Sequence, residues 1–485
     1  MSEQAERDRS LLKGLDWSSL VTWGSQMLSW SSTLVVAHLL TKADYGLIGM
    51  ASLFLGMVQM VSEFGLGAAV VRFQTLTDSQ LAQFNGLSIG LGAASLGIGL
   101  LAANLMGRFF HEPRLPFVIV VMCSTYLISA FRVVPYARLQ RELEFKRPAM
   151  IDGAQAMAGA LASVVLAWAG LGYRALAFSP VVSATVYAGL AVATRPTRFQ
   201  WPDLVAIKNP VTFSAQTLLT RFAWYGYSNA DFVVVGRVLG TDALGAYFFG
   251  WYLAGIAVEK ITALVGRVTP AFLAAVQNDL GELRRYLIAI TEGLAYLTFP
   301  ACVGIALVAS NVVPLIGAQW ASAVAPLQLL AILATVRSID PLVQQTMAAL
   351  GESRTNLNNS LLTVCILPFG LYAGTNWGLL GVTVAWLIIG PLLFGRLLFI
   401  ALRRIELPPR QYFASLWPAT SACLVMALTV ILVERLFLGH ASVYVSLGSK
   451  IAVGAVAYVL ALLVFHRQRV LMIRDLLKSM RQRSA

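Results

Sequence analysis

Long apolar runs recur along almost the whole chain, parted by short polar turns. No other feature limits the fold as much. A run of about 20 apolar residues crosses the hydrocarbon core of a bilayer as a helix. Inside that core each backbone N–H and C=O must be satisfied within the segment, which leaves helices as the spanning form for such runs. Fourteen runs can be counted, starting near residues 15, 44, 84, 116, 149, 174, 211, 243, 283, 323, 357, 378, 413 and 447, and the seventh is longer and more polar than the rest. Most are expected to run about 20 residues. The expected fold is an all-α polytopic membrane protein with about 14 transmembrane helices. No connection is long enough to hold a soluble domain, which argues against a large extramembrane catalytic site.

Composition agrees. The chain is 58% apolar and only 12% charged, against about 25% charged in soluble proteins, and its mean hydropathy is +0.72. The net charge of +13 does not indicate nucleic acid, because the basic residues gather in short turns between apolar runs, as orientation signals do. Cys123, Cys302, Cys365 and Cys423 all fall in apolar stretches without metal-ligand spacing, so helix packing is expected of them and no metal or cofactor. The polar start, MSEQAERDRSLLK, leads into an apolar run too long for a signal peptide, and that run is read as a retained first membrane helix.

Basic residues divide unequally between the two faces. The N-terminal face takes Arg7, Arg9, Lys13, Arg72, Arg138, Arg141, Lys146, Arg147, Arg284, Arg285, Arg403, Arg404 and the tail from Arg467 to Arg483, among others. The opposite face keeps Lys42, Arg108, Arg114, Arg174, Arg435 and Lys450. The positive-inside rule then puts both termini in the cytoplasm. The tail reads either as a basic amphipathic helix on anionic membrane lipids or as a plain orientation signal.

Under a shift of 199 residues, LVVAHLLTKADYGLI (34–48) falls on VVVGRVLGTDALGAY (233–247), with Gly46 on Gly245 and His38 on Arg237. Two further matches, GLGYRALAF (170–178) with GLLGVTVAW (378–386) and Arg132 with Arg337, follow at similar shifts. They imply two pseudo-symmetric six-helix bundles, residues 1–208 and 209–408, followed by two extra transmembrane helices in 409–466 and a basic cytoplasmic tail, 467–485. In transporters built from such halves the substrate site lies between them, near midplane.

A charge inside a bilayer persists where it faces a cavity or a partner. In the seventh span Thr220, Trp224, Tyr227 and Asp231 fall on one helical stripe flanked by Arg221. Aromatic faces suit sugars and arginine suits phosphate. Cavity lining and a structural ion pair are both open for Arg221 and Asp231. The first span has a matching stripe with Trp23, Gln26, Trp30 and Thr33, which plain packing would also explain. In the tenth span Arg337 and Asp340 are three residues apart and adjacent on a helix; they neutralise each other, or Arg337 faces the cavity with its mate Arg132. Lys260 is a further cavity candidate. Glu63, Glu259 and Asp340 are candidates for ion coupling, with a salt bridge or gate as the alternative. Arg237, near a helix end, lines the path or snorkels to the interface. The chain carries no GxxxxGK[ST] loop, no HExxH and no arguable Ser-His-Asp set.

The stretches NADFVVVGRVLGTDALGAY (229–247), PLIGAQWASAVAPLQLLAI (314–332), AALGESRTNLNNSLLTV (348–364), GLLGVTVAW (378–386) and AGLGYRALAF (169–178) are not specific singly. In this order and spacing they resemble Wzx-type oligosaccharide flippases, the polysaccharide-transporter branch of the MATE-like MOP superfamily, over residues 10–465. The resemblance implies a transporter and not an enzyme. It implies a polyprenyl-pyrophosphate-linked oligosaccharide as substrate, moved between leaflets of the bacterial inner membrane by alternating access for exopolysaccharide or lipopolysaccharide biosynthesis. It also implies coupling to H+ or Na+, a cationic cavity, and a polysaccharide polymerase and chain-length machinery as partners. The competing readings are a MATE-like drug or cation antiporter and, in another class, a membrane-embedded polysaccharide polymerase or ligase.

Overall fold

The computed structural model describes residues 24–25, 27–63, 66, 70, 76–141, 146–203, 225, 229–275, 279–437 and 442–469, without the side chains of residues 63, 140, 141, 146, 257, 260, 263–268, 270–272, 274, 275 and 353. Among these, eleven helical stretches are long and apolar enough to cross a membrane, and the longest, Arg354–Arg404, contains two helices joined by a 3-10 turn. A shorter apolar helix covers Met27–Leu39, part of the expected first span. The expected seventh span, from near 211, falls almost wholly outside the described residues. The chain divides into two compact units, Met1–Gly245 and Ala246–Ala485.

In the first unit the helices are α1 (Met27–Leu39), α2 (Lys42–Glu63), α3 (Asp78–Phe110), α4 (Leu115–Arg141), α5 (Lys146–Trp168) and α6 (Tyr173–Thr194). The short α7 (Ala230–Val234) then passes through a π turn, Val235–Leu239, into α8 (Gly240–Ala275). A capping box starts α3: the Thr77 hydroxyl accepts from Gln80 N at 3.3 Å, and Gln80 Oε1 accepts from Thr77 N at 3.0 Å. Such a cap contributes about 1 kcal/mol. The buried face of α3 carries Ser88, Gly92, Ser95, Gly99, Ala103 and Gly107 at steps of three and four residues. Small residues at that spacing let helix backbones approach where lipid gives no hydrophobic drive to associate. Helix α4 uses the opening: a side chain at Gly92 would meet Ala130 and the Tyr126 carbonyl, one at Gly99 would meet Cys123, and the Ser88 hydroxyl donates to the Ala130 carbonyl at 3.0 Å. Helix α4 also packs on α2 and α6, and α5 on α6. After α6 the chain folds back on α3, where Asn85 Nδ2 donates to the carbonyls of Thr197 and Arg198 at 3.3 Å each.

The second unit holds the remainder of α8 and then α9 (Leu280–Ile316), a 3-10 turn (Ala318–Ala323), α10 (Val324–Ala349), α11 (Ser353–Gly374), α12 (Gly378–Arg404), α13 (Pro409–Phe437) and α14 (Val443–Phe465). Asp279 caps α9, its carboxylate accepting from Gly281 N at 2.9 Å and Glu282 N at 3.1 Å. Helix α9 packs on α10, α13 and α14, and α12 packs on both α10 and α11. One core forms around Leu283, Leu287, Leu342, Val343, Leu397 and Tyr412. Trp320 in the 3-10 turn is fully buried, its ring centroid 4.4 Å from that of Phe249. Within α14, Lys450 is only 3% exposed; its ammonium bonds Glu434 of α13 and Asn311 of α9, each at 2.6 Å.

Several helices exceed the expected length. Helix α3 has 33 residues, α8 has 36 and α9 has 37. At 1.5 Å per residue α9 is roughly 55 Å long, against about 30 Å of hydrocarbon. Its first turns, with Glu282, Arg284 and Arg285, are polar and extend the helix past the apolar core, so hydropathy marks the span and capping marks the helix.

Candidate functional site

In the second unit, Arg337 lies close to the midpoint of α10 and is exposed. Its guanidinium carbon sits 3.9 Å from the centroid of the Trp251 ring on α8. The Trp251 ring lies 5.9 Å from Tyr247, one turn away on α8, and 6.0 Å from Trp386 on α12. Three helices therefore bring one guanidinium and three aromatic rings together. A guanidinium on an indole face is held by the ring quadrupole, with a gain up to about 2 kcal/mol when desolvated. That contact fixes a planar fork of donors suited to phosphate or carboxylate, beside indole faces of the kind that pack on sugar rings.

The Arg337 guanidinium lies on Trp251, and Asp340 Oδ2 accepts from Gln344 Nε2 at 2.8 Å along the same helix. Beneath them the buried hydroxyls of Thr298 and Ser338, 3.0 Å apart, tie α9 to α10.

The first unit contains a related arrangement around Arg132 of α4. Its guanidinium carbon lies 4.2 Å from the centroid of the Tyr187 ring on α6. Tyr187 meets Tyr136 edge-on at 5.4 Å, and the Tyr136 hydroxyl donates to Asp152 Oδ2 on α5 at 2.9 Å. The Arg132 and Arg337 matched in the sequence both lie against aromatic rings, though the rings belong to non-equivalent helices.

The remaining candidates scatter. Asp231 is fully buried in the first turn of α7, while Arg237, beyond the start of the π turn, is exposed and bonds His111 at 3.0 Å. The two therefore do not share a face. Trp30 is half-buried on α1 and Glu259 is exposed on α8. Arg221, Trp224, Tyr227, Trp23 and Gln26 lie outside the described residues, as do the side chains of Lys260 and Glu63. Reading the sequence missed Trp251, Trp386, Tyr187 and Tyr136. The available signal was aromatic residues in spans neighbouring each intramembrane arginine, including the tryptophan that closes GLLGVTVAW.

This helical fold is shared with solved structures of membrane proteins. It matches the lipid II flippase MurJ with a TM-score of 0.70 at 12% identity, covering 93% of this chain and 99% of that one. It matches an inward-facing multidrug resistance MATE transporter with a TM-score of 0.58 at 14% identity, covering 79% and 94%. Residues 35–325 match the family described as polysaccharide biosynthesis protein, and the chain belongs to this family. Relatives include the lipopolysaccharide biosynthesis protein WzxC of Escherichia coli K12, 26% identical over 84% of each chain. The succinoglycan biosynthesis transport protein ExoT of Rhizobium meliloti is 24% identical over 98% of this chain and 97% of its own.

Proposed function

We propose that this protein is a flippase that moves polyprenyl-pyrophosphate-linked oligosaccharide from the cytoplasmic to the periplasmic leaflet of a bacterial inner membrane. The observation that carries the reading is Arg337, an exposed guanidinium at mid-helix lying on Trp251 with Trp386 beside it. An arginine there is costly in lipid. It suits an aqueous path that admits an anionic linkage, with the tryptophans available to sugar rings. A drug-cation antiporter would favour an acidic lining instead.

Family membership supports polysaccharide biosynthesis as the setting. The relatives' names refer to the biosynthesis of lipopolysaccharide and teichuronic acid and to succinoglycan biosynthesis transport, so similar chains serve different polymers. In this proposal residues 1–208 and 209–408 form two halves that alternate access, 409–466 adds two helices, and both termini face the cytoplasm. Arg132, Arg221, Trp224, Tyr227, Asp231, Lys260, Trp23, Gln26 and Trp30 join Arg337 along the path. Asp340, with Glu63 and Glu259, links movement to H+ or Na+. A polymerase and its chain-length machinery take the product.

The test is deletion of the gene followed by leaflet-specific labelling of lipid-linked sugars. Complete repeat units trapped on the cytoplasmic leaflet are expected. Units that still reach the periplasmic face without polymerising would overturn the proposal.

A further inference from the structure

One end of the first unit, where α2, α6 and α8 begin and α3 ends, carries a cluster outside the residues proposed above for the transport path. The turn between α3 and α4 is His111–Arg114, with His111 in the left-handed region at φ 55° closing α3. Three arginines around this turn each lie on an aromatic ring. Arg237 is 5.6 Å from Phe109, Arg114 is 5.7 Å from Tyr173, and Arg174 is 5.6 Å from Phe117 and 5.9 Å from Tyr173.

The carboxylates at this end are largely engaged. Glu112 holds Arg114 through both oxygens, at 2.8 and 3.0 Å. Asp44 accepts from the backbone nitrogens of Thr41 at 3.0 Å and Tyr173 at 3.1 Å, which joins the starts of α2 and α6. Asp242, exposed in the first turn of α8, is the remaining acid here. Among the described residues, no carboxylate lies within ion-pair distance of Arg174 or Arg237, and both are exposed. Arg237 instead donates to His111 Nδ1 at 3.0 Å.

Phe109 and Phe117 are 42% and 41% exposed beside these cations, and Trp168, in the last turn of α5 before α6, is 81% exposed. An exposed tryptophan at a helix end, as Trp168 is, marks the membrane–water interface. That is the level at which lipid phosphates lie. Ring-stacked guanidinium groups are held in place, weakly hydrated and matched in shape to a phosphate.

We propose that Arg174 and Arg237, flanking the His111–Arg114 turn, form a binding site for the phosphate group of a membrane lipid. The phosphate comes from an anionic phospholipid of the surrounding leaflet or from the pyrophosphate of a polyprenyl lipid. The site does not depend on the flippase reading.

Native mass spectrometry of the full-length protein tests it, with phosphatidylglycerol, undecaprenyl pyrophosphate and zwitterionic phosphatidylcholine as separate probes. The double variant Arg174→Gln with Arg237→Gln should bind at least one phosphate-charged probe about tenfold more weakly, while Arg435→Gln in α13 binds as the wild type does. Loss confined to the pyrophosphate identifies the polyprenyl lipid as the source. Loss of phosphatidylglycerol identifies the bilayer. Unchanged binding of both overturns the site. A wild-type measurement guards against misfolding of the variant: a photoreactive head-group analogue of whichever lipid binds should label residues 109–117 and 173–174, and labelling confined elsewhere overturns the proposal.

Discussion

Gly46 and Gly245 face each other in a contact that maps onto itself. A Cβ on Gly46 would collide with the Thr241 carbonyl and come within 3.1 Å of the Gly245 nitrogen. A Cβ on Gly245 would collide with the Lys42 carbonyl and come within 3.0 Å of the Gly46 nitrogen. Positions 42 and 46 become 241 and 245 under the same 199-residue shift that aligns the two sequence stretches. All four residues belong to the first unit. The aligned glycines are matched because each supplies the gap that the other's helix start fills.

Adding a methyl at either glycine should therefore have a similar effect. Gly46→Ala and Gly245→Ala should each destabilise by about 1–3 kcal/mol, the range for overpacking a close contact, read as a lower Tm in detergent. Because they share one contact, the double variant should fall short of the sum. A large loss from one and none from the other would contradict the reciprocal geometry.

Arg337 and Trp251 should act as a pair in transport. Arg337→Gln and Trp251→Ala are each expected to lower it about two- to fivefold, from a cation–π contact worth about 0.5–1 kcal/mol at an exposed site, with normal membrane abundance. Because each removes the same contact, the double variant should lose little more than either. Fully multiplicative losses in a transport assay would show that the contact is incidental.

Much of the fold was legible in the sequence. The run expected near 413 begins as α13 at Pro409, and the one near 378 begins at Gly378, because Pro, Gly and polar turns punctuate apolar segments sharply. The aromatic partners of Arg337 and Arg132 were not legible. Helices that face lipid are apolar on nearly every side, so no periodic stripe reports which face meets a neighbour. The rotation of α8 that points Trp251 at Arg337 is set by packing among helices distant in sequence. The π turn at Val235–Leu239 also left no sequence signal, and it holds Arg237 while Asp231 lies in the α-helical turn before it.

The Lys450–Glu434 pair gives a stability test. Glu434→Gln leaves a nearly buried ammonium with neutral acceptors alone, the Asn311 and introduced amide oxygens, whereas Lys450→Met removes the charge and keeps the apolar stem. Lys450 is buried while Glu434 is partly exposed, so removing the acid leaves a buried charge uncompensated and is the more destabilising change. Thermal unfolding should place Glu434→Gln below Lys450→Met; the reverse order would mean the ammonium is well hydrated.

Acid should loosen the α3–α4 turn. The hydrogen bond from Arg114 holds the Glu112 carboxyl below its ordinary range, outweighing the opposing effect of burial. A depressed folded pKa stabilises the fold above the unfolded pKa of about 4.3 and is lost as pH falls through the folded value. Wild-type Tm should therefore drop more steeply below about pH 4.3 than that of Glu112→Gln. Parallel curves would contradict the assignment.

The central claim is best tested in proteoliposomes holding only this protein and a polyprenyl-pyrophosphate oligosaccharide on one leaflet, under an imposed H+ or Na+ gradient. A membrane-impermeant reagent measures the fraction of glycan that reaches the other leaflet. Transfer well above protein-free liposomes, falling about two- to fivefold in Arg337→Gln, is the predicted result. Transfer no faster than in empty liposomes under either gradient would contradict the flippase account.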